Sequence, residues 1–223
     1  MRMRKPIVYQ ILPLLIATYG DRVWQRRLEP VGELVQTILS QNTSDTNSSR
    51  AYASLMERFG TWENIVAADI SEISEAIRCG GLAAAKAKYI KNALSALIDE
   101  GRGFDLEFLR KYSVTEARAW LIRLSGVGMK TASCVLLFSL GMPAFPVDTH
   151  VYRVAQRLCL INNGLSITEA HVELESIVKA EDIYRCHMLF IEHGRKICKA
   201  QRPLCSQCAL SALCPSSTLV ARH

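Results

Sequence analysis

Signals for the start and end of helices recur along this chain, whereas the sustained apolar–polar alternation of a half-buried strand is missing. Two capping boxes, Ser113 with Glu116 and Ser166 with Glu169, precede apolar residues at helical spacing. The loops between these segments are short, and no repeat occurs at the usual solenoid periods. The sequence therefore predicts a compact all-α protein of about ten helices.

Two local features refine this helix prediction. Ser71 is predicted to cap a short helix that ends at Gly80 and Gly81. Pro13 lies inside the first apolar pattern, where a proline removes a backbone donor and clashes with the preceding turn. We therefore expect the first helix to be kinked or broken at Pro13.

Basic residues concentrate at the two ends of the chain. The net charge is +6, from 27 basic and 21 acidic residues. Residues 1–30 carry six basic and two acidic side chains, and residues 191–223 carry five and one. If the ends pack together, they form a basic patch suited to phosphates, and two solvated tails are the alternative.

The apolar stretches of the chain are short. None reaches the ~18–20 residues that a membrane helix needs, so we expect no contact with a membrane. The basic start, Met1–Lys5, precedes the apolar residues 7–17 as in a signal peptide, but no clean small-residue cleavage site follows. The sequence predicts a cytoplasmic protein, suited to a prokaryotic cell and associated with its nucleoid.

The segment Leu124–Ala132 reads Leu-Ser-Gly-Val-Gly-Met-Lys-Thr-Ala and joins two predicted helices. Gly126 and Gly128 permit backbone angles that other residues resist, and they let a large partner approach the main chain. The N–H groups that open the second helix then form an anion site, suited to a DNA phosphate. An ordinary turn between two helices is the alternative.

Two further residues complete this pattern. Lys130 lies in the first turn of the second helix, and Asp148 follows eighteen residues later in the stretch Pro146–His150. Both motifs, at this spacing, resemble the endonuclease III branch of the helix-hairpin-helix DNA glycosylases. That branch has Leu-Pro-Gly-Val-Gly-x-Lys-Thr-Ala followed by Val-Asp-Thr-His, and here Ser125 replaces the proline.

The resemblance implies roles for both residues. Lys130 would attack the anomeric carbon of a damaged nucleotide, expel the base and form a Schiff base, after which β-elimination cuts the strand. The attacking amine must be neutral, and both burial and the positive end of a helix lower a lysine pKa. Asp148 would stabilise positive charge on the sugar or assist proton transfer. A solvated lysine and a helix-capping aspartate are the structural alternatives.

Four of the eight cysteines cluster near the C-terminus, with gaps of six, two and five residues: Cys198, Cys205, Cys208 and Cys214. Four thiolates hold either zinc or a [4Fe–4S] cluster, but zinc sites usually pair two close couples and only one Cys-x-x-Cys is present. Disulfides do not suit an intracellular chain. The spacing matches the iron–sulfur loop of endonuclease III, so the resemblance implies a structural [4Fe–4S] cluster. Lys199 and Arg202 lie on its six-residue loop and are expected to contact phosphates.

A base-flipping enzyme must fill the hole that the base leaves. Residues 39–45 correspond to the family's Leu-Ser-Ala-Gln-Ala-Thr-Asp stretch, which places Asn42 on the intercalating glutamine. The adjacent Gln41 is an alternative wedge, and a polar loop at a helix end is the structural alternative. We expect Asp45 to line the base pocket. We also expect Thr131 to contact DNA; it lies in the segment Leu124–Ala132, called the hairpin from here on.

The resemblance covers almost the whole chain and implies two helical lobes flanking a cleft. A six-helix lobe would comprise residues 31–146, including the hairpin. Residues 1–30 and 147–223 would form the other lobe, with the cluster loop, so that Lys130 and Asp148 face each other across the cleft.

The expected function is that of a bifunctional DNA glycosylase/AP lyase. It would act as a monomer on double-stranded DNA with oxidised pyrimidines or abasic sites. Lys130 favours this branch, because related adenine glycosylases have serine there and thymine-mismatch glycosylases have tyrosine. A mismatch- or alkylation-specific enzyme is one alternative. A DNA-binding scaffold or iron–sulfur redox sensor without catalysis is another, and the presence of both Lys130 and Asp148 argues against it.

Overall fold

The computed structural model describes residues 4–219, with side chains from Ile7 onward. Within that range the chain forms eleven α-helices and four short 3-10 helices, and no strand. The predicted all-α class is confirmed. None of the helices in this range is long and apolar enough to cross a bilayer. The side chains of Met1–Lys5, which suggested a signal peptide, lie outside the described residues.

The chain divides into two compact units. One unit is the continuous segment 26–142, and the other combines residues 1–25 with residues 143–223. The sequence predicts boundaries after residues 30 and 146. In the structure, residues 26–30 instead belong to the continuous unit and residues 143–146 to the discontinuous unit.

The continuous unit contains seven α-helices. These are α2 (Pro30–Leu39), α3 (Asp45–Phe59), α4 (Trp62–Ala67), α5 (Ile70–Ala76), α6 (Ala83–Asp99), α7 (Val114–Ile122) and α8 (Met129–Phe138). Helices α2 and α8 pack together and form its centre, because nearly every residue of each is buried. This packing fixes the C-terminal end of α2 relative to α8.

The discontinuous unit contains four α-helices: α1 (Arg4–Tyr19), α9 (Thr149–Arg157), α10 (Ile167–Ile177) and α11 (Ile183–Lys196). Helix α11 packs against both α1 and α9. The cysteine-rich segment follows α11 directly, so its position depends on these helices.

Helix α1 runs from Arg4 to Tyr19 with Pro13 inside, so the helix is not broken at Pro13, one of the two outcomes expected there. The proline ring is exposed, whereas Val8, Ile11 and Leu15 are fully buried. A proline inside a helix costs about 3 kcal/mol, and burying each large apolar side chain returns about 1.5–3 kcal/mol. The buried face of α1 therefore outweighs the proline.

Candidate functional site

The turn between α7 and α8 contains two glycines in different situations. Gly126 has φ +75°, and a Cβ added there would lie 2.5 Å from Tyr89 Cγ. Gly128 has φ −98°, is exposed, and has no atom within 4 Å of an added Cβ. Only Gly126 is therefore required by the fold. At Gly128 the missing side chain leaves the main chain open to a partner.

Lys130 is half-buried in the first turn of α8. Gly128 is the N-cap of this helix and provides no side-chain hydrogen bond to the first turn. The first backbone N–H groups of a helix have no partner inside the helix. The α8 N-terminus therefore combines an open main chain, outward N–H groups and one primary amine.

Helix α2 leads directly into the segment that sequence analysis assigned to the wedge. Gln41 is half-buried, and its Nε2 donates to the Gly126 carbonyl at 2.9 Å and to Thr131 Oγ1 at 3.3 Å. Asn42 is exposed and has φ 53°, in the left-handed region. Gln41 therefore fastens this segment to the hairpin, and Asn42 forms its exposed tip.

Two other predicted residues lie close to this segment. Thr131 as a whole residue is only 3% exposed, and its hydroxyl accepts the Gln41 bond, so its side chain is held inside the protein. Asp45 is the first residue of α3, next to the N-cap Ser44, whose hydroxyl accepts from the Asn47 amide at 3.2 Å.

Asp148 lies in the discontinuous unit as the N-cap of α9, where it is half-buried. Its Oδ1 accepts from the backbone amides of His150 at 2.9 Å and Val151 at 2.8 Å. The helix-capping alternative is thus observed. Both bonds end on Oδ1, which leaves Oδ2 outside the cap.

Four cysteines line a single cavity after α11: Cys198, Cys205, Cys208 and Cys214. Its empty volume is about 410 Å³, part of which is open to solvent. A zinc site requires four ligands about 2.0–2.3 Å from one ion. No three His, Cys, Asp or Glu side chains in residues 7–219 are arranged around one ion position. Four thiols that line one cavity are a donor set suited to a bound metal or an iron–sulfur cluster.

Donors and acceptors surround the sulfur atoms. Arg157 Nη1 donates to Cys198 Sγ at 3.3 Å and to the Lys199 carbonyl at 2.7 Å, and its Nη2 donates to the Ala200 carbonyl at 3.0 Å. The Leu210 amide donates to Cys208 Sγ at 3.4 Å. Hydrogen bonds from the Thr218 backbone and hydroxyl lower the pKa of Cys205, whereas burial raises the pKa of Cys208 and of Cys214.

A buried histidine links this cavity to α1. Burial lowers the pKa of His193 to about 4, so the ring is neutral near neutral pH. Burial also raises the pKa of Tyr19 to about 12, so its hydroxyl remains protonated. Tyr19 Oη lies 3.0 Å from His193 Nδ1, and His193 Nε2 lies 3.7 Å from Cys208 Sγ. The neutral His193 ring therefore lies between the Tyr19 hydroxyl and the Cys208 sulfur, within reach of both.

Lys199 and Arg202 are exposed on the six-residue loop between the first two cysteines. Arg202 has φ 49°, an uncommon backbone conformation for a non-glycine residue. No sequence pattern indicates a role for Arg157 or Tyr19, because their contacts join residues up to 174 positions apart. For His193, the one signal in the sequence is its position five residues before Cys198.

Comparison with known proteins gives this geometry a context. Residues 35–180 match the model of the HhH-GPD superfamily base excision DNA repair proteins. Endonuclease III of Sulfolobus acidocaldarius is 34% identical over 81% of this chain and 79% of its own length. A candidate DNA glycosylase of Arabidopsis thaliana is 39% identical over 82% of this chain, which spans 60% of the length of that relative.

Solved structures extend the likeness. A trapped covalent intermediate of endonuclease III with DNA aligns with TM-score 0.82 and 31% identity, over 97% of this chain and 98% of that one. A non-covalent endonuclease III–DNA complex aligns with TM-score 0.82 and 30% identity, over 97% of each chain.

The family match covers more than half of the residues, so the chain belongs to the HhH-GPD superfamily of base excision DNA repair proteins. Its identity to endonuclease III from an archaeon and to endonuclease III from Bacillus subtilis, 34% in each case, narrows the class. The chain is an endonuclease III-like DNA glycosylase, and the resemblance found in its motifs is confirmed.

Proposed function

We propose that this protein is a bifunctional DNA glycosylase/AP lyase that removes oxidised pyrimidines from double-stranded DNA, with Lys130 as the nucleophile. The observation that carries the proposal is the half-buried Lys130 at the open N-terminus of α8, two residues after the exposed Gly128. The likeness to a trapped covalent endonuclease III–DNA intermediate supports it.

The proposed chemistry uses the Lys130 amine as the nucleophile. Lys130 Nζ attacks C1′ of the damaged nucleotide, the glycosidic bond breaks, and the base leaves with a proton. The sugar ring opens to a Schiff base on Nζ. Loss of a C2′ proton then breaks the C3′–O bond and releases the downstream strand with a 5′ phosphate, and hydrolysis of the Schiff base by water finally frees Lys130.

Asp148 serves the same reaction in our proposal. Its cap bonds hold the carboxylate in one orientation through Oδ1, so Oδ2 is available to stabilise positive charge on the sugar or to move a proton. Asp148→Asn keeps a capping oxygen and removes the charge. We therefore expect this variant to fold normally and to excise bases more slowly.

Two sets of DNA contacts accompany the nucleophile. The backbone N–H groups at the start of α8, including that of Thr131, are placed to bind a phosphate, and Gly128 lets the DNA backbone approach. Lys199 and Arg202, both exposed on the loop between Cys198 and Cys205, would contact phosphates through their own charges.

We assign the wedge to Asn42 rather than to Gln41. The Gln41 side chain is already bonded to the hairpin through Gly126 and Thr131, whereas Asn42 is exposed at the tip. Asn42→Ala should weaken binding to a duplex with an abasic analogue and leave thermal stability unchanged. Gln41→Ala should lower stability by about 1 kcal/mol, since it removes two buried bonds.

The four cysteines would hold a [4Fe–4S] cluster, as their spacing and shared cavity suggest. When bound, the cluster supplies structural cross-linking of the tail, because base excision transfers no electrons. Iron and sulfide analysis of protein expressed anaerobically tests this assignment. A colourless preparation with one zinc per chain would contradict it.

Borohydride trapping on duplexes with thymine glycol, comparing wild type with Lys130→Gln, tests the proposed function. We expect a covalent adduct and strand cleavage only with the wild type. If wild type binds DNA tightly but neither cleaves nor traps it, an abasic-site duplex distinguishes a different lesion preference from a non-catalytic scaffold.

We further propose that the enzyme acts as a monomer on nucleoid DNA in a prokaryotic cytoplasm, since several of its relatives are bacterial or archaeal.

A further inference from the structure

A lysine is buried in the continuous unit, away from Lys130 in the sequence. Lys86, the fourth residue of α6, is 2% exposed. Its Nζ donates to the Leu39 carbonyl at 2.7 Å and to the Gly80 carbonyl at 2.8 Å. Burial lowers the pKa of Lys86. This side chain therefore bridges two backbone segments that are 41 residues apart, at positions 39 and 80.

The position is costly for an amine. Removing an ammonium group from water is unfavourable, and a cation near the N-terminus of its own helix opposes the helix dipole. Leu39, however, is the last residue of α2, where carbonyls lack partners inside the helix and attract a cation. The bond to Leu39 thus offsets part of the cost, and an apolar side chain would pack at this site without bridging anything.

Both bridged segments lead to an exposed tip with an unusual backbone. Leu39 immediately precedes the Asn42 loop (residues 40–44), and Gly80 is the first residue of the Leu82 loop (residues 80–82). Asn42 has φ 53° and Leu82 has φ 50°, and Leu82 is 61% exposed. Asparagine tolerates this conformation, but for leucine it costs about 1–2 kcal/mol. Surrounding contacts must therefore hold the Leu82 loop in place.

The Asn42 loop and the Leu82 loop are also fixed from other sides. A Cβ on Gly80 would lie 3.0 Å from Ala51 Cβ, so the Leu82 loop packs closely against α3. Gln41 ties the Asn42 loop to the Gly126 carbonyl in the hairpin. The Lys86 side chain connects the two loops to each other, because it bonds to the Leu39 carbonyl beside the Asn42 loop and to the Gly80 carbonyl in the Leu82 loop.

We propose that Lys86 is a positioning residue for base flipping, which holds the Asn42 loop and the Leu82 loop at a fixed separation so that both tips enter the duplex together. The proposal rests on the proposed function. An apolar side chain such as Leu82 suits insertion between base steps, and a polar one such as Asn42 suits the space left by the base. If the separation is fixed before DNA binds, binding does not have to order the two loops, and its free-energy cost is lower.

The test compares Lys86→Met, Lys86→Arg and Lys91→Met in the intact protein. Lys91 is a matched control, because it lies on the same helix and its Nζ donates to the Ala68 carbonyl, at the C-cap of α4, at 2.6 Å. The measurements are amide hydrogen exchange of both loops, and affinity for a duplex with a non-cleavable abasic analogue relative to undamaged duplex. Steady-state cleavage of an abasic-site duplex gives kcat and KM separately.

We expect Lys86→Met to speed exchange in both loops and to lower damage discrimination about tenfold, since small misplacements of positioned groups have effects of this size. Its affinity for undamaged DNA should not change. Lys86→Arg should restore part of the discrimination, and it replaces Lys86→Met if that variant does not fold. Lys91→Met should leave both loops and discrimination unchanged.

Two outcomes would overturn the role of Lys86. One is normal exchange in both loops, or normal discrimination, in a folded Lys86→Met protein. The other is an equal loss of discrimination in Lys91→Met, which would indicate general destabilisation. A wild-type protein that forms no borohydride adduct would instead refute the proposed function, so the two failures are distinguishable.

Discussion

The hairpin and the cysteine-rich segment are held together in different ways. In α8, all residues from Thr131 to Phe138 are buried, so apolar burial fixes the hairpin. Between Cys198 and Leu219, which the structure describes throughout, Leu210 is the only fully buried apolar side chain. Bonds to sulfur and to backbone carbonyls hold that segment instead. The difference teaches that apolar burial alone fixes the helix that carries Lys130, the proposed nucleophile, whereas the cysteine-rich segment has little burial of its own.

Loss of a cysteine should have the largest effect on this comparison. Cys208→Ser removes one of the four thiols that line the cavity. We expect the visible absorption of the cluster to disappear and proteolysis after Lys196 to accelerate by at least about tenfold, because little burial remains to keep the segment closed. Limited proteolysis with mass spectrometry measures this. Cys134→Ser, which changes a buried cysteine on α8, is the control and should keep the colour.

Gly126→Ala should have the next largest effect, and on the hairpin alone. The new Cβ would meet Tyr89 Cγ at 2.5 Å on a backbone with φ +75°. Overpacking and the left-handed conformation together should lower the free energy of unfolding by about 2–5 kcal/mol. Gly60→Ala is a matched control, because Gly60 has φ +73° and nothing within 4 Å of the added atom. Equal losses in denaturant titrations of the two variants would rule out the Tyr89 contact as a cause.

Arg157→Gln should weaken the cysteine loop moderately. It removes a charged donor from Cys198 Sγ and from the carbonyls of Lys199 and Ala200. We expect iron release to a chelator to accelerate roughly tenfold, which corresponds to about 1.4 kcal/mol. Lys196→Gln removes a nearby exposed cation paired with Glu192 and should release iron at the wild-type rate. Identical kinetics for both variants would mean that the Arg157 bonds do not protect the cluster.

Gly128→Ala should have the smallest effect on folding. Its φ of −98° suits any residue and the added Cβ meets no atom within 4 Å, so stability should change by less than about 0.5 kcal/mol. DNA affinity should nevertheless fall, since the methyl group would stand between the phosphate and the main chain. A melting temperature lowered as much as in Gly126→Ala would contradict the separation of the two glycines.

Helix starts were predicted correctly where the signal lies within a few residues of sequence, as in a capping box. The capping boxes at Ser113 and Ser166 are both formed, with Glu116 and Glu169 in their expected positions. The cap of α5 was wrong: Asp69 with Glu72 forms the box, and Ser71 lies inside the helix. The sequence contained that signal, because an acidic residue three positions after an aspartate is itself a capping-box pattern.

Contacts between distant residues were beyond sequence reasoning. The spacing of the motifs could not reveal that Lys86 bonds to Leu39, because a backbone carbonyl carries no sequence signature. For the same reason, Gln41 and Asn42 remained equivalent until the Gln41 bond to Gly126 was visible. The break considered at Pro13 does not occur, because the tertiary burial of α1 outweighs the local cost of the proline.

The division of the chain into a continuous and a split unit has a consequence for synthesis on the ribosome. Residues 26–142 are complete in one stretch and can fold while the rest is still being translated. Helix α1, made first, must wait for α11, since Tyr19 bonds to His193, 174 residues later. The four cysteines emerge later still. The segment that completes the discontinuous unit therefore also contains the four cysteines proposed to hold the cluster, which would make cofactor loading a late step in maturation.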